Sequence, residues 1–300
     1  MRLFICIIAI LCFFFNMFSG SVGYGGTKFN AYRDIVYVSN VRDVSQQSLD
    51  IFAPKKGHNL PVVIFFHGGS WSIGDKSNKS IINKRNFFVN NGMVFISANY
   101  RLAPKYQFPD YPEDVAEAIS FIIDNIDQYN GDPNNIFLFG HSSGAHLIAL
   151  TSTDDHYLMK YGKELRDIKG TILLDGAVYD ASKVFDALEN GEGNIVMRNI
   201  YETAFGTDPS IWEDASPITH VAENKGIPPF LVFYVKSRKE SEIQSMAFTA
   251  ALENAKIPVL LIPIRITSHR NINVSFGKLL GLKERTTLDF IERYSKTSLQ

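Results

Sequence analysis

Cysteine is nearly absent from this 300-residue chain. Both of its cysteines, Cys6 and Cys12, fall within the first 18 residues. A chain that had lost this segment would contain no thiol. A disulfide, a cysteine nucleophile and a cysteine-ligated metal site are therefore excluded from such a mature protein.

The sequence also lacks an excess of charge of either sign. Lys and Arg total 30 against 31 Asp and Glu, and no block of basic residues is present. We expect no nucleic-acid partner, because binding to nucleic acid needs a basic surface. The P-loop pattern, the dinucleotide fingerprint and the His-Glu-x-x-His pattern of zinc hydrolases are all missing. We therefore expect neither a cofactor nor a catalytic metal.

Long hydrophobic runs are missing except at the amino terminus. Met1 and Arg2 precede an apolar run over residues 3–18 that only Asn16 interrupts, and small residues follow it. This order is typical of a secretory signal peptide, so residues 1–20 are predicted to direct export to the periplasm or the medium. The alternative is an uncleaved membrane anchor over residues 3–18, since roughly 18 to 20 residues span a bilayer. After cleavage we expect no stable membrane span.

The rest of the chain, residues 27–298, is predicted to form a single α/β domain. Continuous apolar runs indicate strands buried on both faces, and helical patterns lie between them. This alternation predicts a mostly parallel central sheet flanked by helices on both faces. The predicted strands are Asp34–Val38, Ser48–Phe52, Pro61–Phe66, Met93–Ala98, Ile136–Phe139, Thr171–Leu174, Phe230–Val235 and Val259–Pro263. The clearest predicted helices are Pro112–Asp127, Glu242–Asn254 and Glu284–Tyr294.

A long polar segment, about residues 181–226, interrupts this pattern between two predicted strands. It is too long for a plain connection. We interpret it as a small inserted cap over the end of the sheet. A surface excursion without a role is the alternative interpretation.

The sequence Gly140-His141-Ser142-Ser143-Gly144 follows a predicted strand and leads into a helical pattern. A nucleophile elbow holds its serine on a tight strand-to-helix turn, where glycines two residues before and after it avoid collisions. The helix N-terminus adds a favourable field for developing negative charge. We predict Ser142 as the nucleophile and the backbone N–H of Ser143 as an oxyanion donor.

A second glycine-rich sequence, His67-Gly68-Gly69-Ser70-Trp71, follows the predicted strand 61–66. Such a loop can offer backbone N–H groups to an oxyanion, and we predict Gly69 and Ser70 as the donors. Trp71 is predicted to line the substrate site, with core packing as the alternative. His67 is interpreted as a structural hydrogen-bonding residue rather than the catalytic base.

Five segments together resemble a known family. They are the HGGSW loop, Asn99 to Pro104, Phe108-Pro109, Gly131 to Pro133 and the GHSSG turn, in this order. They resemble the α/β-hydrolase esterases related to hormone-sensitive lipase, and more closely the carboxylesterase and kynurenine-formamidase-like branch. The likeness covers about residues 30–295. It implies the α/β-hydrolase fold and hydrolysis of esters or formamides by a Ser-His-acid triad without a cofactor.

In this fold the triad runs Ser, acid, His along the chain. Of the seven histidines only His269 lies beyond the last predicted strand, and it is the predicted base. The resemblance places the acid after the strand 230–235, where the loop contains no Asp. By register Glu240 is the predicted acid, since Glu can also orient an imidazole. Glu242 is the rival, although its place at a helix start also suits simple charge placement.

The predicted activity is hydrolysis of carboxylic esters of small or medium substrates through an acyl-enzyme intermediate. Only a short stretch separates Gly26 from the first predicted strand near Asp34, so we expect an open site that favours small soluble esters. One alternative is an aryl formamidase. Another is an esterase that acts on extracellular peptide or carbohydrate esters, which only the predicted export suggests. The third is a catalytically inert binding protein of the same fold. The oligomeric state stays open.

Overall fold

An eight-stranded sheet organises the protein in the computed structural model, which describes residues 28–192 and 195–295. Its strands are β1 (Phe29–Val36), β2 (Ser48–Pro54), β3 (Leu60–Phe66), β4 (Val94–Ala98), β5 (Gly131–His141), β6 (Ile168–Leu174), β7 (Phe230–Val235) and β8 (Val259–Ile264). The strand order is β1-β2-β4-β3-β5-β6-β7-β8. β1 and β2 are antiparallel to their neighbours, and β3 to β8 run parallel.

Helices cover both faces of this sheet and part of its carboxyl edge. They are α1 (Ile81–Asn90), α2 (Asp110–Asn125), α3 (Ser143–Thr153), α4 (Asp155–Met159), α5 (Ala181–Glu189), α6 (Ile195–Phe205), α7 (Pro209–Asp214), α8 (Lys239–Asn254), α9 (His269–Val274) and α10 (Leu282–Ser295). Alternate residues of β3 enter separate apolar clusters: Val62 and Ile64 join the cluster that includes α2 and α3, and Val63 and Phe65 join the one that includes α1 and α10. Burial on both faces explains the continuous apolar sequence of the strand.

The sequence prediction of an α/β fold with a mostly parallel sheet is confirmed. All eight predicted strands are present. β7 has its predicted bounds, and the other seven have shifted ends. The largest shifts are at β1, which begins at Phe29 rather than Asp34, and at β5, which begins at Gly131 rather than Ile136. The first five residues of β5 are mostly polar, so the apolar pattern that predicts a buried strand starts only after them.

The segment after β6 forms helices at the carboxyl edge of the sheet. Within it, α6 packs against the HGGSW loop: the rings of Tyr201 and Phe205 lie 6.0 and 4.8 Å from that of Trp71, centroid to centroid. The Tyr111 hydroxyl also donates to the carbonyl of Ala204. These contacts attach α6 to the edge of the sheet at which Ser142 lies.

The predicted export signal, residues 1–20, lies outside the described residues and stays a prediction. In the part of the chain that the structure does describe, no helix combines the length and apolar character needed to cross a membrane.

Candidate active site

Ser142 occupies a strained turn between β5 and α3. Its backbone has φ 56° and ψ −119°, which is costly for a residue with a side chain. The flanking glycines permit the turn. A Cβ at Gly140 would lie 2.5 Å from the carbonyl oxygen of Gly144, and one at Gly144 would lie 2.2 Å from that of Phe66. This is the geometry predicted for a nucleophile elbow.

His269 faces Ser142 from the first residue of α9. Its Nε2 atom lies 2.9 Å from Ser142 Oγ, within hydrogen-bond reach. The hydroxyl of Ser268 caps this short helix by accepting from the backbone N–H of Asn271. The rings of His141 and His269 lie 4.6 Å apart, centroid to centroid, with their planes tilted by 31°, and His141 Nε2 lies 3.0 Å from the His269 carbonyl oxygen. The backbone and the ring of His269 are therefore both held in place.

The carboxylate that contacts His269 belongs to Asp175, the first residue after β6. Its Oδ2 atom lies 2.7 Å from His269 Nδ1, and the side chain is fully buried. Its Oδ1 atom accepts from the backbone N–H of Val235 and from the hydroxyl of Ser241, at 2.9 and 2.6 Å. Asp175, like Ser142, has a positive φ, of 55°. The structure thus brings Ser142, His269 and Asp175 into one hydrogen-bonded line.

The prediction that Glu240 contacts His269 is wrong. The Glu240 carboxylate is more than half exposed and lies 3.0 Å from Arg238 Nη2. The rival, Glu242, lies in the first turn of α8 and pairs with Lys236, which precedes that helix. The physical reason is the course of the loop after β7. This loop directs the Arg238 side chain toward His269, and the neighbouring strand β6 supplies the carboxylate.

Asp175 is held as an anion. Burial alone would raise the pKa of its carboxyl group. The hydrogen bond with His269, the charge of Arg238, and the donors from Ser241 and Val235 outweigh that effect and keep the pKa well below its ordinary range. A permanent carboxylate at Nδ1 is what a catalytic imidazole needs in order to keep its proton on that side.

Two of the three predicted oxyanion donors lie beside Ser142. Ser70 and Ser143 line a cavity together with Ser142, whereas Gly69 is not part of its lining. Among the described residues, no acceptor bonds to the backbone N–H of Gly69, Ser70 or Ser143. Gly69 has φ 142°, and a Cβ there would lie 1.8 Å from the carbonyl oxygen of Ile73. Only glycine fits this point of the loop.

The cavity beside Ser142 has a volume of about 160 Å³. Its apolar wall consists of Trp71, Ala177, Val178, Met197, Ile200 and Tyr201, and the last three belong to α6. Trp71 borders the cavity and is almost fully buried, so it also packs in the core. Its contact with substrate stays a prediction.

His146 connects Trp71 to the segment after α7. Trp71 Nε1 donates to His146 Nδ1 at 3.2 Å, and His146 Nε2 donates to the carbonyl of Ala215 at 2.8 Å. Burial lowers the pKa of His146 to about 4, so the ring is neutral near pH 7. His67 is also structural: it stacks on Tyr100 and its Nδ1 bonds to the carbonyl of Gly68.

Two other features lie away from Ser142. A larger cavity, about 790 Å³, is lined by residues at the amino ends of β5 and β6, such as Asp132 and Ile168. Asp154, Asp214 and His220 bring three possible metal ligands within 4.8 Å of one another, at the end of α3 opposite Ser142. In the described ranges, no such ligand group occurs beside Ser142.

Several known proteins are similar to this chain. The family model described as BD-FAE matches residues 49–252. The probable carboxylic ester hydrolase LipM of Mycobacterium tuberculosis is 27% identical over 216 residues, which cover 70% of this chain and 49% of the relative. The esterase LipQ of the same organism is 34% identical, over 66% of this chain and 47% of the relative. An isoprenylcysteine alpha-carbonyl methylesterase, ICME of Arabidopsis thaliana, is 29% identical, over 74% of this chain and 52% of the relative. The chain spans about half the length of these curated relatives.

Solved structures share the fold. A truncated carbohydrate esterase from gut microbiota superimposes with a TM-score of 0.71 at 19% identity, over 91% of this chain and 99% of that one. Esterase B from Lactobacillus Rhamnosis gives a TM-score of 0.70 at 20% identity, over 90% of this chain and 87% of that one. At such low identity these neighbours show the α/β-hydrolase fold alone.

Proposed function

Because the chain belongs to the BD-FAE family, we propose that it is a serine hydrolase that cleaves short carboxylic esters through an acyl-enzyme on Ser142. One observation carries this proposal. Ser142 Oγ, His269 Nε2, His269 Nδ1 and Asp175 Oδ2 form a continuous line with hydrogen-bond distances of 2.9 and 2.7 Å. This is the arrangement by which a serine is activated for attack on a carbonyl group.

The reaction follows from these contacts. His269 Nε2 accepts the Ser142 proton while Oγ forms a bond to the ester carbonyl carbon, and the carbonyl oxygen becomes an oxyanion. The free N–H groups of Ser70 and Ser143, with Gly69 beside them, stabilise that charge. The intermediate collapses, the bond to the alkoxide breaks, and His269 returns the proton to the leaving oxygen. Water then attacks the acyl-enzyme with the same base and releases the acid.

Asp175 takes the role that the sequence assigns to Glu240. Its buried carboxylate holds the His269 proton on Nδ1, which leaves Nε2 free to accept from Ser142. The same carboxylate stabilises the imidazolium that forms when the serine proton moves. The exposed Glu240 has neither contact.

The size of the cavity supports a short acyl group. A volume of about 160 Å³ is close to that of a cavity of about 150 Å³ that holds one benzene molecule, which suits an acetyl to butanoyl group. We assign the acyl group to this cavity because its apolar wall adjoins the Ser70 and Ser143 donors. The relative named as a methylesterase agrees with hydrolysis of a carboxylic ester, although the small group in a methyl ester is the alcohol and not the acyl group.

The experiment is a substrate panel on the purified chain. We expect p-nitrophenyl acetate and butanoate to be hydrolysed with higher kcat/KM than the octanoate and dodecanoate, and N-formylkynurenine to be a poor substrate. Ser142→Ala should lower kcat by several orders of magnitude and abolish labelling by a fluorophosphonate probe. Full activity of Ser142→Ala would refute the mechanism. Faster turnover of the dodecanoate would refute the size assignment, and absence of labelling in the wild type would favour an inert binding protein.

We also propose that the enzyme is exported by residues 1–20. The charged start, the apolar run and the small residues after it support this proposal. The test is expression of the full chain followed by amino-terminal sequencing of the exported protein. A new amino terminus near residue 20 is expected. Retention of Met1 in a membrane fraction would support the anchor over residues 3–18 instead.

A further inference from the structure

A guanidinium group lies beside the imidazole of His269. Arg238 is the third residue after β7 and directly precedes α8. Its Nη1 atom lies 2.7 Å from Asp175 Oδ2 and 2.7 Å from His269 Nδ1, and its Nη2 atom lies 3.0 Å from Glu240. A cation therefore occupies the loop in which the resemblance leads one to expect the catalytic carboxylate.

The Nδ1 atom of His269 cannot hydrogen-bond to Asp175 and to Arg238 at the same time. With a proton, Nδ1 donates to Asp175 and cannot accept from Arg238. Without a proton, it accepts from Arg238, and the remaining proton then lies on Nε2, facing Ser142. Only the first tautomer lets His269 act as a base toward Ser142. Asp175 and Arg238 thus compete for the same nitrogen.

We propose that Arg238 is a positioning residue that opposes protonation of His269 by sharing Asp175 with it, and so extends ester hydrolysis into mildly acidic solution. This inference rests on the proposed function. When His269 gains a second proton, the imidazolium gains attraction from Asp175 but also repulsion from a guanidinium in direct contact with it. The repulsion favours the neutral imidazole, which is the form that can accept the serine proton.

In the described part of the chain, Arg238 is the positive charge in direct contact with the His269 ring. Among the described residues, the His269 ring is faced by Ser142, Asp175, Arg238 and the ring of His141. Burial and the neighbouring His269 lower the pKa of His141 to about 3, so it is neutral near pH 7. The charged or titratable groups farther out are Glu240 on Arg238, Tyr201 in the cavity wall, Lys84 near His141 and the exposed Arg270.

The test compares three variants of the full chain. Arg238→Leu removes the charge but keeps an apolar stem, Arg238→Lys keeps the charge, and Glu240→Gln alters only the exposed partner of Arg238. We expect Arg238→Leu to move the acidic limb of the kcat/KM profile upward by about one pH unit. At the wild-type midpoint of that limb, such a shift lowers kcat/KM about fivefold. Arg238→Lys and Glu240→Gln should move the limb by less than about 0.3 units. A lower alkaline plateau with an unmoved limb in Arg238→Leu would overturn the proposal, because a structural defect acts at all pH values.

A second readout does not depend on activity. The His269 Cε1–H resonance, assigned by its loss in His269→Gln, can be titrated by NMR in the wild type and in Arg238→Leu. We expect its midpoint to rise by about one pH unit in the variant. An equal midpoint in both proteins refutes the role of Arg238. A shifted midpoint in a chain without Ser142-dependent hydrolysis would leave the electrostatic role standing and refute only the proposed function.

Discussion

Asp175 Oδ2 lies 2.7 Å from Nδ1 of His269, although 94 residues separate the two along the chain. The contact forms because β5, β6 and β7 are neighbours and run parallel, so that their carboxyl ends meet at one edge of the sheet. Ser142 follows β5 and Asp175 follows β6 at this edge, and His269 reaches it from the segment after β8. Ligands and reactive groups of open α/β sheets gather at this edge for the same reason.

Asp175→Asn should therefore abolish the proposed ester hydrolysis without unfolding the protein. The amide can donate a hydrogen bond to Nδ1, which would place the imidazole proton on Nε2, so that His269 could no longer accept from Ser142. We expect kcat to fall roughly 10³- to 10⁴-fold, measured with p-nitrophenyl acetate at neutral pH.

Glu240→Gln is the matched control for Asp175→Asn, because Glu240 is the acid that the sequence predicts. Its carboxylate is largely exposed and touches Arg238 rather than His269. We expect its kcat at neutral pH to stay within about threefold of the wild type. The reverse result, a large loss in Glu240→Gln and full activity in Asp175→Asn, would restore the sequence-based choice.

The sequence predicts the parts of this site that are local. Ser142 stands in a five-residue pattern between a strand and a helix, and His269 is the histidine that follows the last strand. Both signals depend on short stretches of chain whose backbone geometry is set by glycine and by buried apolar runs. The fold is predicted for the same reason.

The acid could not be chosen by such local signals. Asp175 and Glu240 both satisfy the order Ser, acid, His, and both follow predicted strands. What distinguishes them is the direction of each side chain after its strand ends, which depends on packing between β6, β7 and α8. One signal was present: Asp175 directly follows the apolar run Thr171–Leu174, at the edge where Ser142 also lies.

The turn at Ser142 provides a second prediction, because Gly144 crosses β3 closely. A Cβ on Gly144 would lie 2.2 Å from the carbonyl oxygen of Phe66. Gly144→Ala should displace α3 from β3, lower the free energy of unfolding by about 1–3 kcal/mol and slow labelling of Ser142 by a fluorophosphonate. Urea unfolding and labelling kinetics measure the two effects.

Gly162→Ala is the control for Gly144→Ala, since no atom lies within 4 Å of a Cβ at Gly162. Its φ of 69° still makes the substitution cost about 1 kcal/mol. Its labelling rate should equal that of the wild type. If both variants were labelled at the wild-type rate, the close crossing would not be what shapes the elbow.

The cavity wall provides a third prediction, on acyl-chain length. Ala177→Leu should fill part of the 160 Å³ cavity and lower the ratio of kcat/KM for butanoate over acetate roughly tenfold. Ile200→Ala should enlarge the cavity and raise the ratio of kcat/KM for hexanoate over butanoate. Ile195→Ala is the control on the same helix, because Ile195 is 68% exposed. An unchanged ratio in both cavity variants would show that the acyl group binds elsewhere.

A buried lysine beneath α9 provides the last prediction, on stability. Lys84 is fully buried, and its Nζ donates to the carbonyls of Ser80 and Asn273 with no carboxylate among these bonds. Burial, with a smaller effect of Lys283, lowers its pKa to about 7. The unfolded chain, in which a lysine titrates near 10.4, therefore binds more protons than the folded chain between these two values. Stability must rise with pH across this window, because the cost of a buried charge is full below the folded pKa and vanishes above the unfolded one.

Relative to Lys84→Met, we expect the unfolding free energy of the wild type to rise by about 1.4 kcal/mol per pH unit between pH 8 and 10. Parallel urea-unfolding series at each pH measure this difference. A difference that does not change with pH would mean that Lys84 stays charged in the folded protein.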